Sequence, residues 1–135
     1  MSQNALSQIT ALLATRGYVV TETGPGTLRI QETDSGISLQ AVLEGEILFF
    51  SMVCATVPTS KLTPEVMHRM LDSNNGISTS HFQLFTNGKS SVISLNNFCK
   101  LQEMGADDED DILSCVSFLL ADVLHARNLL AADLA

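Results

Sequence analysis

Residues 107–134 read DDEDDILSCVSFLLADVLHARNLLAADL, and this stretch decides the architecture. Five consecutive acids, Asp107 to Asp111, meet the unpaired backbone N–H groups and the positive end of a helix macrodipole, while His125 and Arg127 sit towards the opposite end. Behind the acids, Ile112, Cys115, Val116, Leu119, Leu120, Val123, Leu124 and Leu130 recur at helical spacing. The spacing predicts a long, well-directed helix with one wide apolar face, and such a face must be buried, here against a sheet. Nothing in the stretch has the spacing of a catalytic motif.

Working back from that helix, short β-rich runs alternate with turn residues. The runs are Tyr18–Thr21, Thr27–Gln31, Ile37–Leu43 and Ile47–Val57, punctuated by Thr23-Gly24-Pro25-Gly26, Asp34-Ser35-Gly36 and Glu44-Gly45-Glu46. They predict an antiparallel meander in which Leu28/Ile30 and Ile37/Leu39 face inward while Arg29, Gln31, Ser38 and Gln40 face water. Further on, His81–Thr86, Asn87-Gly88 and Lys89–Leu101 form a hairpin pattern, because Asn-Gly accepts the positive φ angles of a tight type I′ turn. Two more helices complete the pattern. Asn4–Thr15 carries Leu6, Ile9, Leu12 and Leu13 on one face and stops at Gly17. Thr63-Pro64-Glu65 supplies an N-cap, a proline at the first helical position and an early acid for a helix running to about Ser73. The expectation is a single α+β domain over residues 1–135, with an antiparallel sheet of about five strands and three helices in the order α-βββ-α-ββ-α.

Composition excludes several function classes. Seven Lys and Arg against fifteen Asp and Glu give a formal charge of −8, and the cations are scattered, so no basic patch exists for nucleic acid or for an anionic membrane surface. The start, Met1-Ser2-Gln3-Asn4, lacks the basic and apolar regions of a signal peptide, and no unbroken apolar run approaches a spanning helix. A cytoplasmic protein without membrane insertion is expected. Cys54, Cys99 and Cys115 are odd in number, widely spaced and set in apolar segments, which predicts small buried hydrophobes rather than disulfides or a zinc site.

Candidate chemistry is sparse. His68, His81 and His125 are the available bases, but none lies in a nucleophile motif, so no catalytic residue is assigned. A metal held by His68 and His125 requires the second and third helices to touch in that register. The acidic pentad lacks the alternating ligands, central glycine and distal glutamate of a calcium loop, and reads as a solvated helix start. Gly24-Pro25-Gly26 joins two strands and presents no helix N-terminus to a phosphate. No metal and no cofactor are expected.

The element order, the turn Glu44-Gly45-Glu46 between two apolar strands, and the segment Ile37–Pro58 resemble the type III secretion chaperone-like fold, which YbjN-like bacterial proteins share. Within it, the whole chain resembles the bacterial YjfI-like family. That resemblance implies envelope stress and a phage-shock-protein-A-like partner, and it carries over no functional residues. An obvious proline-leucine-aspartate stretch, common in true secretion chaperones, is lacking, which weighs against effector export.

The expected function is therefore a non-enzymatic, chaperone-like module that binds a protein partner through a sheet edge or an apolar groove. Ile47–Cys54 is apolar on both parities, as expected of a strand covered on both sides or lying against a second subunit. This places partner binding or homodimer formation at Phe49, Phe50 and Met52 on that strand, or at Met67 and Met70 on the second helix. The alternative is a small-molecule or lipid pocket between helices and sheet, lined by Phe82, Phe85, Met67 and Met70, where thioethers repack easily around a ligand.

Overall fold

The second helix begins where its cap demands. Thr63, extended at φ −80 and ψ 164, accepts a hydrogen bond from the Val66 amide through its hydroxyl, and Pro64 opens the first turn. The computed structural model describes residues 2–134 and, among them, three α-helices and six strands. In chain order these are α1 (Ser2–Ala14), β1 (Tyr18–Gly24), β2 (Thr27–Glu32), β3 (Ser38–Glu44), β4 (Ile47–Pro58), a short 3-10 turn (Thr59–Lys61), α2 (Pro64–Leu71), β5 (His81–Asn87), β6 (Ser90–Lys100) and α3 (Ala106–Leu134). The fold is α+β with an antiparallel sheet, and the order is α-ββββ-α-ββ-α, one strand more than the sequence predicts. All four β-rich runs that precede the second helix become strands, β1 included. Only alternate residues of β1 are even half-buried, which weakens its pattern, yet it pairs with β2 from Tyr18↔Glu32 to Gly24↔Thr27.

The sheet runs β1-β2-β3-β4-β6-β5. Directly opposed residues share a face, so Ile30↔Leu39, Leu28↔Ala41, Ala41↔Phe50 and Leu43↔Leu48 define the inner side, whereas Arg29↔Gln40 and Val42↔Phe49 lie on the outer one. Likewise Phe82↔Leu95 and Leu84↔Ile93 are inner, and Phe85↔Val92 is outer. Leu28, Ile30, Leu48, Phe50, Ile93 and Leu95 are fully buried, together with Ile9 and Leu13 of α1 and Ile112, Val116, Leu119, Val123 and Leu130 of α3. The helix residues repeat every three or four positions, as one buried stripe requires.

By internal contacts the chain forms two compact units, one of residues 1–51 with 97–117 and one of residues 52–96 with 118–135. The first holds α1, β1 to β3, the start of β4, the end of β6 and the first half of α3. The second holds the rest of β4, α2, β5, most of β6 and the second half of α3.

One feature of α3 escaped the expectation drawn from unbroken apolar runs. Over Ala106–Asp133 the helix is long and apolar enough to cross a bilayer, with a mean hydropathy of 1.4. The average merges a stripe at 0–2% exposure, from Ile112 through Val123 to Leu130, with an open side where Ser114, Ser117 and Asn128 stand among the half-exposed Phe118 and Leu124, the latter expected on the buried face. A core helix satisfies the same length and composition as a spanning one.

Candidate functional site

In the first unit the outer side of the sheet is divided by polarity. Over β2 and β3 it is polar, with Arg29 Nη2 donating to Ser38 Oγ at 3.1 Å and Gln31 Nε2 donating to the Gly36 carbonyl at 3.1 Å. Over β4 and β6 it is apolar. Val42 lies opposite Phe49, and the Phe49 and Phe98 rings pack at a centroid distance of 6.1 Å with a 43° tilt. That spacing falls in the favourable range for aromatic pairs. Phe49 is 40% exposed and Phe98 59% exposed, so water covers what a core would normally hide. Lys100, on the same side as Phe98, reaches Glu46 at 4.0 Å and leaves a charged margin. An apolar centre with a polar rim is the anatomy of an interaction surface.

Alternation along β4 settles the fate of the predicted residues. Phe50 and Met52 point inward, at 0% and 2% exposure, and hold the core; Phe49 and Val53 point outward. The doubly apolar strand thus has one face buried by the chain and one open. In α2 of the second unit, Met70 is buried at 5% while Met67 and Leu71 are exposed. Of the five residues named from sequence, Phe49 and Met67 are accessible, and Phe50, Met52 and Met70 are structural. Phe98 was missed. The signal was present: Ile93, Leu95 and Cys99 mark the inward parity of β6, which leaves Phe98 as an aromatic on the wet parity.

The second unit has a cleft of about 290 Å³ between α2 and β5, lined by Met67, Met70, Leu71, Phe82, Gln83 and Leu84. It gathers Met67, Met70 and Phe82 from the sequence-derived ligand pocket. Phe85 is absent from it because its pairing with Val92 turns it to the outer side, where it is 54% exposed.

Titratable groups are used structurally. Asp108, expected as a solvated capping acid, is 2% exposed, and one carboxylate oxygen accepts from the Gln102 amide at 2.6 Å and the Met104 amide at 2.8 Å. The turn it grips holds Glu103 and Met104 at φ 59 and 58, a left-handed region uncommon for side-chain-bearing residues. In the second unit, buried Asp122 accepts from Ser80 Oγ at 2.7 Å and Thr79 Oγ1 at 3.1 Å. Arg127 donates to the Val53 and Cys54 carbonyls at 3.4 Å, and Arg69 of α2 pairs with Asp133 of α3. Asn97 gives its amide N–H to the Cys115 carbonyl at 3.0 Å, while its buried Oδ1 has no partner among the described residues. No three His, Cys, Asp or Glu side chains come together as metal ligands among the described residues.

The cysteines are buried at 54 and 99 and half-buried at 115, and all are free thiols. Cys54 is pushed up to about 11 by burial, partly offset by Arg127. Cys99 and Cys115, from β6 and α3 of the first unit, each shift the titration of the other: Cys99 is driven strongly up by hydrogen bonding with Cys115 and by burial, and Cys115 is lowered by the same interaction.

No family model matches the chain, and no curated protein sequence matches it significantly. Among solved structures it is similar to YbjN of E. coli, described as a candidate transcription regulator, with a TM-score of 0.70 and 13% identity over 96% of this chain and 93% of that one. It is also similar to a chain of the heterodimeric ExoU–SpcU complex from the type III secretion system of Pseudomonas aeruginosa, with a TM-score of 0.61 and 21% identity over 90% of this chain and 96% of that one. Such likeness is one of fold: the chain has the YbjN-like, type III secretion chaperone-like α+β architecture.

Proposed function

We propose that this chain is a non-enzymatic, chaperone-like module that binds a protein segment on the outer side of its sheet. The observation that carries the reading is the exposed Phe49–Phe98 pair, set beside Val42 and bounded by the polar Arg29–Ser38 stripe and by Lys100. Two solvated phenyl rings lose unfavourable hydration when an apolar segment covers them, and the polar margin fixes where that segment ends. The likeness to a chain crystallised in a heterodimer supports a protein as the occupant. The finer proposal follows the YjfI-like resemblance: a cytoplasmic protein acting in envelope stress with a phage-shock-protein-A-like partner, forming a two-fold dimer when that partner is absent.

The test pairs light scattering across a concentration series with capture of partners by the full chain. Phe49→Asp combined with Phe98→Asp leaves the melting midpoint near that of the wild type and weakens self-association or partner capture at least about 30-fold, the loss expected when central aromatic anchors worth about 2 kcal/mol or more are removed. Phe50→Asp, which buries a charge, unfolds the chain. Unaltered association by the double variant refutes the surface. The second reading, a small apolar ligand, rests on the cleft of about 290 Å³ beside Met67 and Phe82. A ligand displaced by Met67→Glu but untouched by the Phe49 and Phe98 changes favours it.

A further inference from the structure

Cys99 and Cys115 are distant in sequence, but the fold sets them face to face. Inward parity on β6 turns Asn97 and Cys99 towards the helix side, where they are 7% and 8% exposed. The first half of α3 is fixed beside them: Asn97 Nδ2 reaches the Cys115 carbonyl at 3.0 Å, and Cys115 Sγ donates to the Phe98 carbonyl at 3.8 Å. Those two anchors bring the Cys115 Sγ to the carbonyl of the residue before Cys99, and each thiol shifts the titration of the other. With Cys115 anchored to the strand residues just before Cys99, side-chain movement can close the pair to the roughly 2.05 Å of a disulfide.

The geometry points to a redox-active thiol pair, in which Cys115 reacts with a peroxide and Cys99 closes an intramolecular disulfide. Access and acidity divide the roles. Cys115 is half-buried and open to a small reagent, whereas Cys99 is buried. The hydrogen bond from Cys99 stabilises a thiolate at Cys115, against the opposing effects of burial and the Asp111 carboxylate. Thiolates are the nucleophilic form. Cys99 keeps its proton, held by the bond to Cys115, by burial and by Asp111 and Asp108.

In the first step the Cys115 thiolate attacks one peroxide oxygen, the O–O bond breaks and hydroxide leaves. Cys115 becomes a sulfenic acid, oxidised by two electrons, and the peroxide is reduced. In the second step the Cys99 sulfur attacks the Cys115 sulfur, the S–O bond breaks, and water leaves with the Cys99 proton. A dithiol reductant reverses the bond by exchange. The disulfide ties β6 to α3 and removes the S–H that Cys115 gives to the Phe98 carbonyl. Cys54 provides an internal comparison: it is buried and its thiol is pushed up to about 11.

The full chain is reduced, desalted, treated with a small excess of hydrogen peroxide, then denatured and alkylated with iodoacetamide for intact mass and tryptic mapping. Of the three cysteines, only Cys54 is expected to take the label, with a disulfide joining residues 90–100 to residues 101–127. In Cys99→Ser the disulfide is lost and Cys115 is trapped by dimedone as the sulfenic acid; in Cys54→Ser the disulfide yield is unchanged. Before oxidation, Cys115 of the native protein alkylates at least about tenfold faster than Cys54. Three labelled thiols after peroxide overturn the proposal. So does a sulfinic acid at Cys115 beside a still-labelled Cys99, or a disulfide that uses Cys54 or joins two chains. The readout is covalent chemistry within one unit and does not depend on the partner-binding surface.

Discussion

Replacing Asp108 by alanine is expected to cost far more than replacing any other acid of the pentad. One Asp108 oxygen accepts from the Gln102 and Met104 amides at 2.6 and 2.8 Å in a 2% exposed position. A hydrogen bond to a charged group contributes about 1.5–3 kcal/mol, so the pair sums to roughly 3–6 kcal/mol. Against this, a released turn relaxes Glu103 and Met104 from their left-handed angles and recovers about 1–2 kcal/mol or more. The net loss is about 2–4 kcal/mol. In a domain of this size that lowers the melting midpoint by roughly 6–15 °C. Exposed Asp110→Ala, which changes only the interaction with the helix dipole, costs about 0.3–1 kcal/mol and fades in salt. Thermal melts of both variants, at low salt and at 0.5 M salt (about a 4 Å screening length), separate the two mechanisms. Amide exchange at Gln102 and Met104 should accelerate by about 30-fold or more in Asp108→Ala, the factor equivalent to 2 kcal/mol. Equal losses in the two variants, or a salt-sensitive loss at Asp108, refute the reasoning.

Asp122→Ala is expected to destabilise by about 1–3 kcal/mol, because it leaves the Ser80 and Thr79 hydroxyls without their acceptor. Adding Ser80→Ala should then cost almost nothing further, and additive losses in the double-mutant cycle would disprove the network. The Cys54 thiol titrates at about 11 in the fold against 9.0 for the free group, through burial opposed by Arg127. The unfolded chain therefore releases this proton first, and the stabilisation, complete below pH 9, declines as pH rises towards about 11. Urea midpoints measured across that window should fall less steeply for Cys54→Ala than for the wild type; parallel curves would contradict the assignment.

The elements legible in the sequence were those whose signal is local. Thr63-Pro64 fixes the start of α2 through one hydroxyl and one ring, and Asn87-Gly88 fixes the β5–β6 turn, with Gly88 at φ 64. The spacing from Ile112 to Leu130 reports the buried stripe of α3 because the helical period is a property of the backbone itself. What stayed hidden depends on neighbours. A strand apolar on both parities, as Ile47–Cys54 is, contains nothing that says which parity faces helices, so Phe49 and Phe50 were indistinguishable until β3 and β6 were placed beside them. Asp108 looked like its four acidic neighbours, and only the turn at Glu103 and Met104, folded back over it, separates it from them. The thiol contact required β6 and α3 to be adjacent, which no spacing between Cys99 and Cys115 encodes.

The placing of α3 has a consequence for how the protein is made. Every strand precedes it in the chain, so a ribosome has already released β1 to β6 when the 29 residues of α3 begin to emerge. Until they do, Leu28 and Phe50 of the first unit lack Ile112 and Val116, and Ile93 and Leu95 of the second lack Leu119 to Leu130. At about 5–20 residues per second, α3 takes roughly 1.5–6 s to translate. For that interval the nascent chain offers a bare apolar sheet at one end and, at the ribosome exit, a segment apolar enough to be taken for a membrane span. Packing of α3 after it is made removes both hazards at once.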